Sequence, residues 1–157
     1  MPTYLDVPTA HTPPGGYGAT MPGPILDGCD DPLADGAPDL RGLWRVLDLR
    51  ADDGTVLSHD HPMWQHIERI EQAGDRVVIT AGGVVHDMRA DGTYENGVND
   101  VAALDHATPI SVAASFEAGA LVLRPQGMPG VEIRRWYDGD HLMWRYHTAF
   151  TARLARE

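Results

Sequence analysis

From His141 to Leu154 the chain alternates in character at every step. Leu142, Trp144, Tyr146, Thr148, Phe150, Ala152 and Leu154 interleave with His141, Met143, Arg145, His147, Ala149, Thr151 and Arg153. Successive side chains of an extended strand point to opposite faces, so a two-residue period gives the first set one apolar face. The same residues on a helix would scatter around its circumference. The C-terminal segment is therefore read as strand, with Trp144, Tyr146 and Phe150 pointing toward a core.

The chain upstream supplies the sheet that such a strand needs. Beyond Arg41, short runs rich in β-branched and aromatic residues are punctuated by Gly74-Asp75, Gly82-Gly83, Asp91-Gly92, Gly119 and Asp138-Gly139. These turn residues supply the positive φ angles that tight hairpins require. The pattern predicts strands near 43–50, 65–72, 76–81, 84–90, 93–101, 110–116, 120–125, 131–137 and 141–154. Asn96-Gly97 follows Asp91-Gly92 too closely for a full strand to separate two turns, so one of the pair reads as a bulge. Eight or nine antiparallel strands leave exposed edges unless the sheet closes, and closure yields an interior filled by side chains or holding one small ligand. The fold class is all-β, a single antiparallel up-and-down β-barrel of about 8–9 strands.

Residues 1–40 read as a separate N-terminal arm, with the barrel domain over 41–157. The arm holds eight of the twelve prolines, six of the seventeen glycines and no Lys or Arg, which disfavours regular structure. Tyr4, Leu5, Val7, Tyr17, Met21, Ile25, Leu26 and Leu33 still give it apolar groups to lay on a surface. At 157 residues one core suffices without a staple, and the single Cys29 excludes an internal disulfide. No Lys or Arg precedes Arg41 and no apolar run is long enough to span a bilayer, so the expected location is the cytoplasm, without membrane association. A net charge of −11 repels phosphate backbones and makes nucleic acid an unsuitable partner. An exposed strand edge or the arm offers a route to a homodimer.

Gly42-Leu43-Trp44 at the start of the first strand, the meander after it and a late Arg, either Arg153 or Arg156, together resemble the calycin group of lipocalins and fatty-acid-binding-protein-like barrels. The resemblance covers residues 41–157. It implies that Trp44 packs across the closed barrel end with the late Arg over it. Arg45-Val46-Leu47 after Trp44 departs from the Gly-x-Trp-x-Gly-x-Gly signature of the haem-binding nitrobindin-like branch. A weaker, partial resemblance is to cupins: Gly119 with Pro125-Gln126-Gly127 matches half of one motif, and His59-Asp60-His61 matches the His-x-His of another. The family's later metal-binding His would fall at Gly130, and no Glu follows His61 at the right distance.

Alternation places Val84, His86 and Met88 inside one strand and Ile110, Val112, Ala114 and Phe116 inside another. The register of 131–137 stays open between Val131, Ile133 and Tyr137 on one side and Trp136 on the other. An interior imidazole can act as acid or base or donate to a ligand. His86 and Tyr146 are thus the candidate catalytic pair, with Tyr94 and Asp100 as further possible partners of the imidazole. Trp44, Met88, Tyr94, Trp144, Phe150 and Arg134 are the candidate ligand-binding residues. Arg134-Arg135 puts guanidiniums on opposite faces of one strand, and an inward one needs an anionic partner. His59, His61 and His66 lie within eight residues but with no carboxylate to complete a metal set, so no metal ligand is assigned. No phosphate cradle, Gly-x-Ser-x-Gly elbow or Cys-x-x-Cys pair occurs, and no cofactor class is indicated. The first functional expectation is a barrel that binds a small apolar or aromatic molecule inside. The alternatives are an isomerase, cyclase or dehydratase type of barrel enzyme using His86, and a His-ligated cupin-like metal protein.

Overall fold

The computed structural model describes residues 3–157. Ten strands follow in chain order: β1 (Gly42–Arg50), β2 (Ile67–Ala73), β3 (Arg76–Ala81), β4 (Val84–Arg89), β5 (Val98–Val101), β6 (Pro109–Glu117), β7 (Ala120–Pro125), β8 (Ile133–Asp138), β9 (His141–Tyr146) and β10 (Phe150–Arg156). A single 3₁₀ turn, Pro62–Gln65, lies between β1 and β2. Sequence neighbours pair antiparallel, except β4 and β5, and β10 returns to pair with β1. The result is one up-and-down barrel, closed everywhere but at the β4/β5 seam.

The strand count exceeds the expected eight or nine because 141–154 is two strands rather than one. His147 adopts φ 50° and Ala149 N–H donates to the Tyr146 carbonyl at 2.9 Å, making a turn without glycine or proline. Histidine tolerates the left-handed region better than most side chains, and this turn therefore carries no compositional signal. The alternation survives it. Phe150 pairs with Tyr146, Ala152 with Trp144 and Leu154 with Leu142, so the apolar set still shares one face.

Two further departures have local causes. β1 carries a bulge between Val46 and Asp48, which leaves Leu47 39% exposed and turns Leu49 fully inward. β5 begins only at Val98, because Asp91-Gly92 and Asn96-Gly97 belong to one connection instead of a turn and a bulge. A Cβ on Gly97 would lie 1.9 Å from the Val112 carbonyl oxygen, so this glycine is demanded by close backbone approach.

One core cluster fills the barrel interior from its closed end, the end reached by the β2–β3 and β8–β9 hairpins, up to Trp144 and Phe150. Leu40, Trp44, Leu49, Ile70, Val77, Met88, Leu121, Leu142 and Leu154 are each at most 2% exposed, and each such burial contributes roughly 1.5–3 kcal/mol. Trp44 closes this end. Its Nε1 donates to the Leu40 carbonyl at 2.9 Å, Tyr137 packs against it and the Arg156 guanidinium lies 4.6 Å above its ring. Of the two arginines the calycin resemblance allowed, Arg156 takes the place over the tryptophan.

The arm packs on the outer face of β2, β3 and β4. Leu26, Ala73, Val78 and Val85 form a second apolar cluster there, joined by Tyr4, Val7, Ala10, Tyr17, Ile25 and Cys29. Glu71 accepts the Ile25 and Leu26 amides at 3.1 and 2.8 Å. The buried pair Arg76–Asp87 clamps the arm's beginning. Arg76 donates to both Asp87 oxygens and to the Tyr4, Val7 and Pro8 carbonyls, while Asp87 accepts the Ala10 amide. Among the described residues, no helix is long and apolar enough to cross a membrane.

Candidate functional site

The upper half of the lumen is built from β2, β8, β9 and β10. Cross-strand register sets Arg135 of β8 directly beside Trp144 of β9, and the guanidinium sits 4.8 Å from the centre of the indole ring. From across the lumen Glu68 of β2 meets Arg135 with two parallel bonds, Nε to Oε2 at 2.9 Å and Nη2 to Oε1 at 3.0 Å. Strands β2 and β8 are separated by three others in the sheet, so this ion pair bridges the barrel interior. His66 donates Nε2–H to Glu68 Oε1 at 2.8 Å, because a carboxylate can only accept, and its ring stacks 4.5 Å from that of Trp144.

Glu68 is wholly buried, which by itself would raise its pKa. The positive charge of Arg135 and the hydrogen bonds from His66 and Arg135 outweigh that cost and hold it down at about 2. The ion pair is thus charged on both sides and neutral as a unit. Trp144 is only 6% exposed, yet its Nε1 finds no hydrogen-bond partner among the described residues. Aromatic groups continue upward from it. Phe150 meets Trp144 edge-on at 5.1 Å, Tyr146 stacks on Phe150 at 5.6 Å and His61 reaches Phe150 at 6.2 Å. Tyr146 is 44% exposed, so this aromatic column runs from solvent to a buried indole.

The expected site residues divide between this column and other places. Trp144, Phe150 and Tyr146 belong to it. Trp44 lies inward but at the closed end, fully buried and hydrogen-bonded. Met88 is inward on β4 and 2% exposed. Tyr94 sits in the 90–97 connection, 39% exposed, outside the wall. Arg134 also points outward, paired with Glu132 at 2.9 Å, and the inward guanidinium is its neighbour Arg135. This corrects the choice between the two, because Ile133 and Tyr137 share the inner face with Arg135.

His86 is inward on β4 as the alternation required, and it serves the seam. Its Nε2 donates to the Val101 carbonyl of β5 at 2.9 Å, crossing the gap where no ladder forms. Burial lowers its pKa, with the carbonyl and Asp100 pulling the other way and Arg135 adding to the lowering. His106 closes the seam above it by donating to the Gly82 carbonyl at 2.7 Å. Asp100 works from the outside, accepting the Thr12 amide at 3.0 Å and His11 at 3.3 Å. Two clefts lie along this seam: one of about 340 Å³ beneath residues Tyr4–His11 with Met88 in its floor, and an open groove of about 830 Å³ beside Thr12 and β6.

The three loop histidines do not converge. His59 packs on the edge of Trp64, His61 Nδ1 accepts the Met63 amide and caps the 3₁₀ turn, and His66 enters the lumen. Among the described residues, no group of three or more His, Cys, Asp or Glu side chains is placed to hold a metal.

Sequence reasoning missed Glu68 as an interior residue and grouped His66 with His59 and His61 instead of placing it in the lumen. The run Ile67-Glu68-Arg69-Ile70-Glu71-Gln72 has isoleucines on both parities, so it names no inner face. The available signal was the doublet Arg134-Arg135, which demands one buried anion from elsewhere in the chain.

No family model matches the sequence, and no curated protein matches it. Among solved structures the fold is similar to human cRBP IV, with a TM-score of 0.50 and 14% identity over 76% of this chain and 99% of that one. The chain has a calycin-like, fatty-acid-binding-protein-like β-barrel fold. At this identity the likeness speaks for the architecture, and the roles of residues rest on the geometry above.

Proposed function

We propose that the protein binds one small apolar or aromatic molecule in the upper lumen, against Trp144, Phe150 and Tyr146. The reading is supported chiefly by the aromatic column, which carries an apolar surface from solvent at Tyr146 down to a buried indole. Pockets for small molecules are built this way, mostly apolar with a few placed polar groups. The barrel that human cRBP IV also has is in keeping with a ligand held inside the wall, by analogy of fold.

Native mass spectrometry after mild purification, followed by thermal-shift titration with apolar and aromatic compounds, tests the proposal. The expected result is a bound species or a raised Tm that is lost in Phe150→Ser. Ligands that raise Tm equally in wild type and Phe150→Ser would place binding elsewhere and end the reading.

A further inference from the structure

Resting on that reading, we infer that the upper lumen selects a neutral ligand carrying a hydrogen-bond acceptor, such as an ester, ketone or alcohol, and rejects the corresponding carboxylate. Three observations combine. The guanidinium of Arg135 is already matched by Glu68 through two bonds, so no net positive charge is left for an incoming anion. A carboxylate entering beside this pair would add an uncompensated buried charge, which is strongly unfavourable. Donors nevertheless remain. Trp144 Nε1 is buried without a partner among the described residues, and Arg135 gives only Nε and Nη2 to Glu68, which leaves Nη1 to the space beside the indole.

These two donors belong to one stack, with guanidinium and indole 4.8 Å apart. The buried indole N–H costs free energy while it lacks an acceptor, and a neutral oxygen supplies the acceptor without supplying a charge. His66 reinforces the discrimination. It spends its Nε2–H on Glu68, holding the carboxylate in place for Arg135. Glu68 is therefore the specificity-determining residue, and Trp144 the one that receives the ligand's polar atom.

The test uses matched probes that differ in charge alone: methyl dodecanoate against dodecanoate, and methyl 2-naphthoate against 2-naphthoate, titrated by tryptophan fluorescence. In wild type the ester of at least one pair should bind 10-fold or more tightly than its acid. Glu68→Gln should raise affinity for the acid at least 10-fold and leave the ester within about 3-fold. Trp144→Phe, which keeps an aromatic face but removes the pyrrole ring with its N–H, should weaken the ester about 5-fold. If Glu68→Gln does not fold, the wild-type pairs and Trp144→Phe still decide. An acid bound as tightly as its ester by wild type, or an ester indifferent to Trp144→Phe, overturns the inference and leaves the binding reading standing. Saturation by none of the four probes removes the binding reading and the inference with it.

Discussion

Two buried arginine–carboxylate pairs stand on opposite sides of the same wall, and they differ in what is left over. Outside, Arg76 spends all five of its N–H groups: two on Asp87 and one each on the Tyr4, Val7 and Pro8 carbonyls. Inside, Arg135 spends its Nε and one Nη2 hydrogen on Glu68, leaving Nη1 unused beside the unpartnered Trp144 indole. A saturated pair fixes structure, here by strapping the arm to the barrel. A pair with donors in reserve can also meet a ligand.

The largest expected effects come from breaking either pair. Arg76→Met and Arg135→Met each strand a buried carboxylate and should each cost about 3–5 kcal/mol in urea unfolding. Their signatures should differ. Arg76→Met should speed amide hydrogen exchange in residues 4–12, whereas Arg135→Met should leave that segment protected. Replacing both members, as in Glu68→Leu with Arg135→Met, should recover most of the inner loss, since an apolar pair carries no desolvation cost. Equal exchange in the arm for both single variants would erase the distinction between clamp and receptor.

Acid should attack the inner pair in a defined window. Glu68 has its folded pKa lowered to about 2 from 4.5, so its contribution is complete above pH 4.5 and is lost as pH falls toward 2. The wild type should lose stability steeply across that interval. The double variant without the pair should show a shallower loss, and an identical slope would mean that Glu68 is not held ionised by Arg135.

The tryptophans repeat the contrast at a smaller scale. Trp44 and Trp144 each lie under an arginine, but Trp44 Nε1 is bonded to Leu40 and Trp144 Nε1 to no group among the described residues. Changing either to Phe removes the same ring volume. Trp44→Phe alone also strands a buried carbonyl, so it should be the more destabilising by about 1–3 kcal/mol. Comparable losses by thermal and urea unfolding would mean that the Trp144 N–H is satisfied after all.

How much of this was legible beforehand follows the same division. Trp144, Phe150, His86 and Met88 announced their inner face through period-two patterning, because hydrophobic burial and strand geometry act on every second residue, whereas the place of Trp44 at the closed end came from the family resemblance. The Arg156 stack on Trp44 was within reach of the family resemblance. The Glu68–Arg135 bridge was not, since it joins residues 67 positions apart that neither periodicity nor a turn connects. Tyr94 and the 147–149 turn misled for a local reason. Two turn dipeptides fell in one connection, and a histidine took a backbone conformation usually left to glycine.

The smallest effect concerns the seam, where β4 and β5 lack a ladder and His86 supplies a bond in its place. Burial is the main cause of its lowered pKa, so the unfolded chain takes up the proton more readily than the folded one. Its contribution is therefore complete above about pH 6.5 and declines as pH falls below it. Glutamine offers an N–H for the Val101 carbonyl and has no proton to gain. In His86→Gln the urea midpoint should fall less between pH 6.5 and 5 than it does in wild type, while the Glu68 transition near the acid end stays unchanged. Parallel slopes through that upper window would mean that the seam tolerates a charged imidazole, and that the arm's ties from Thr12 and His11 to Asp100 hold it without help from His86.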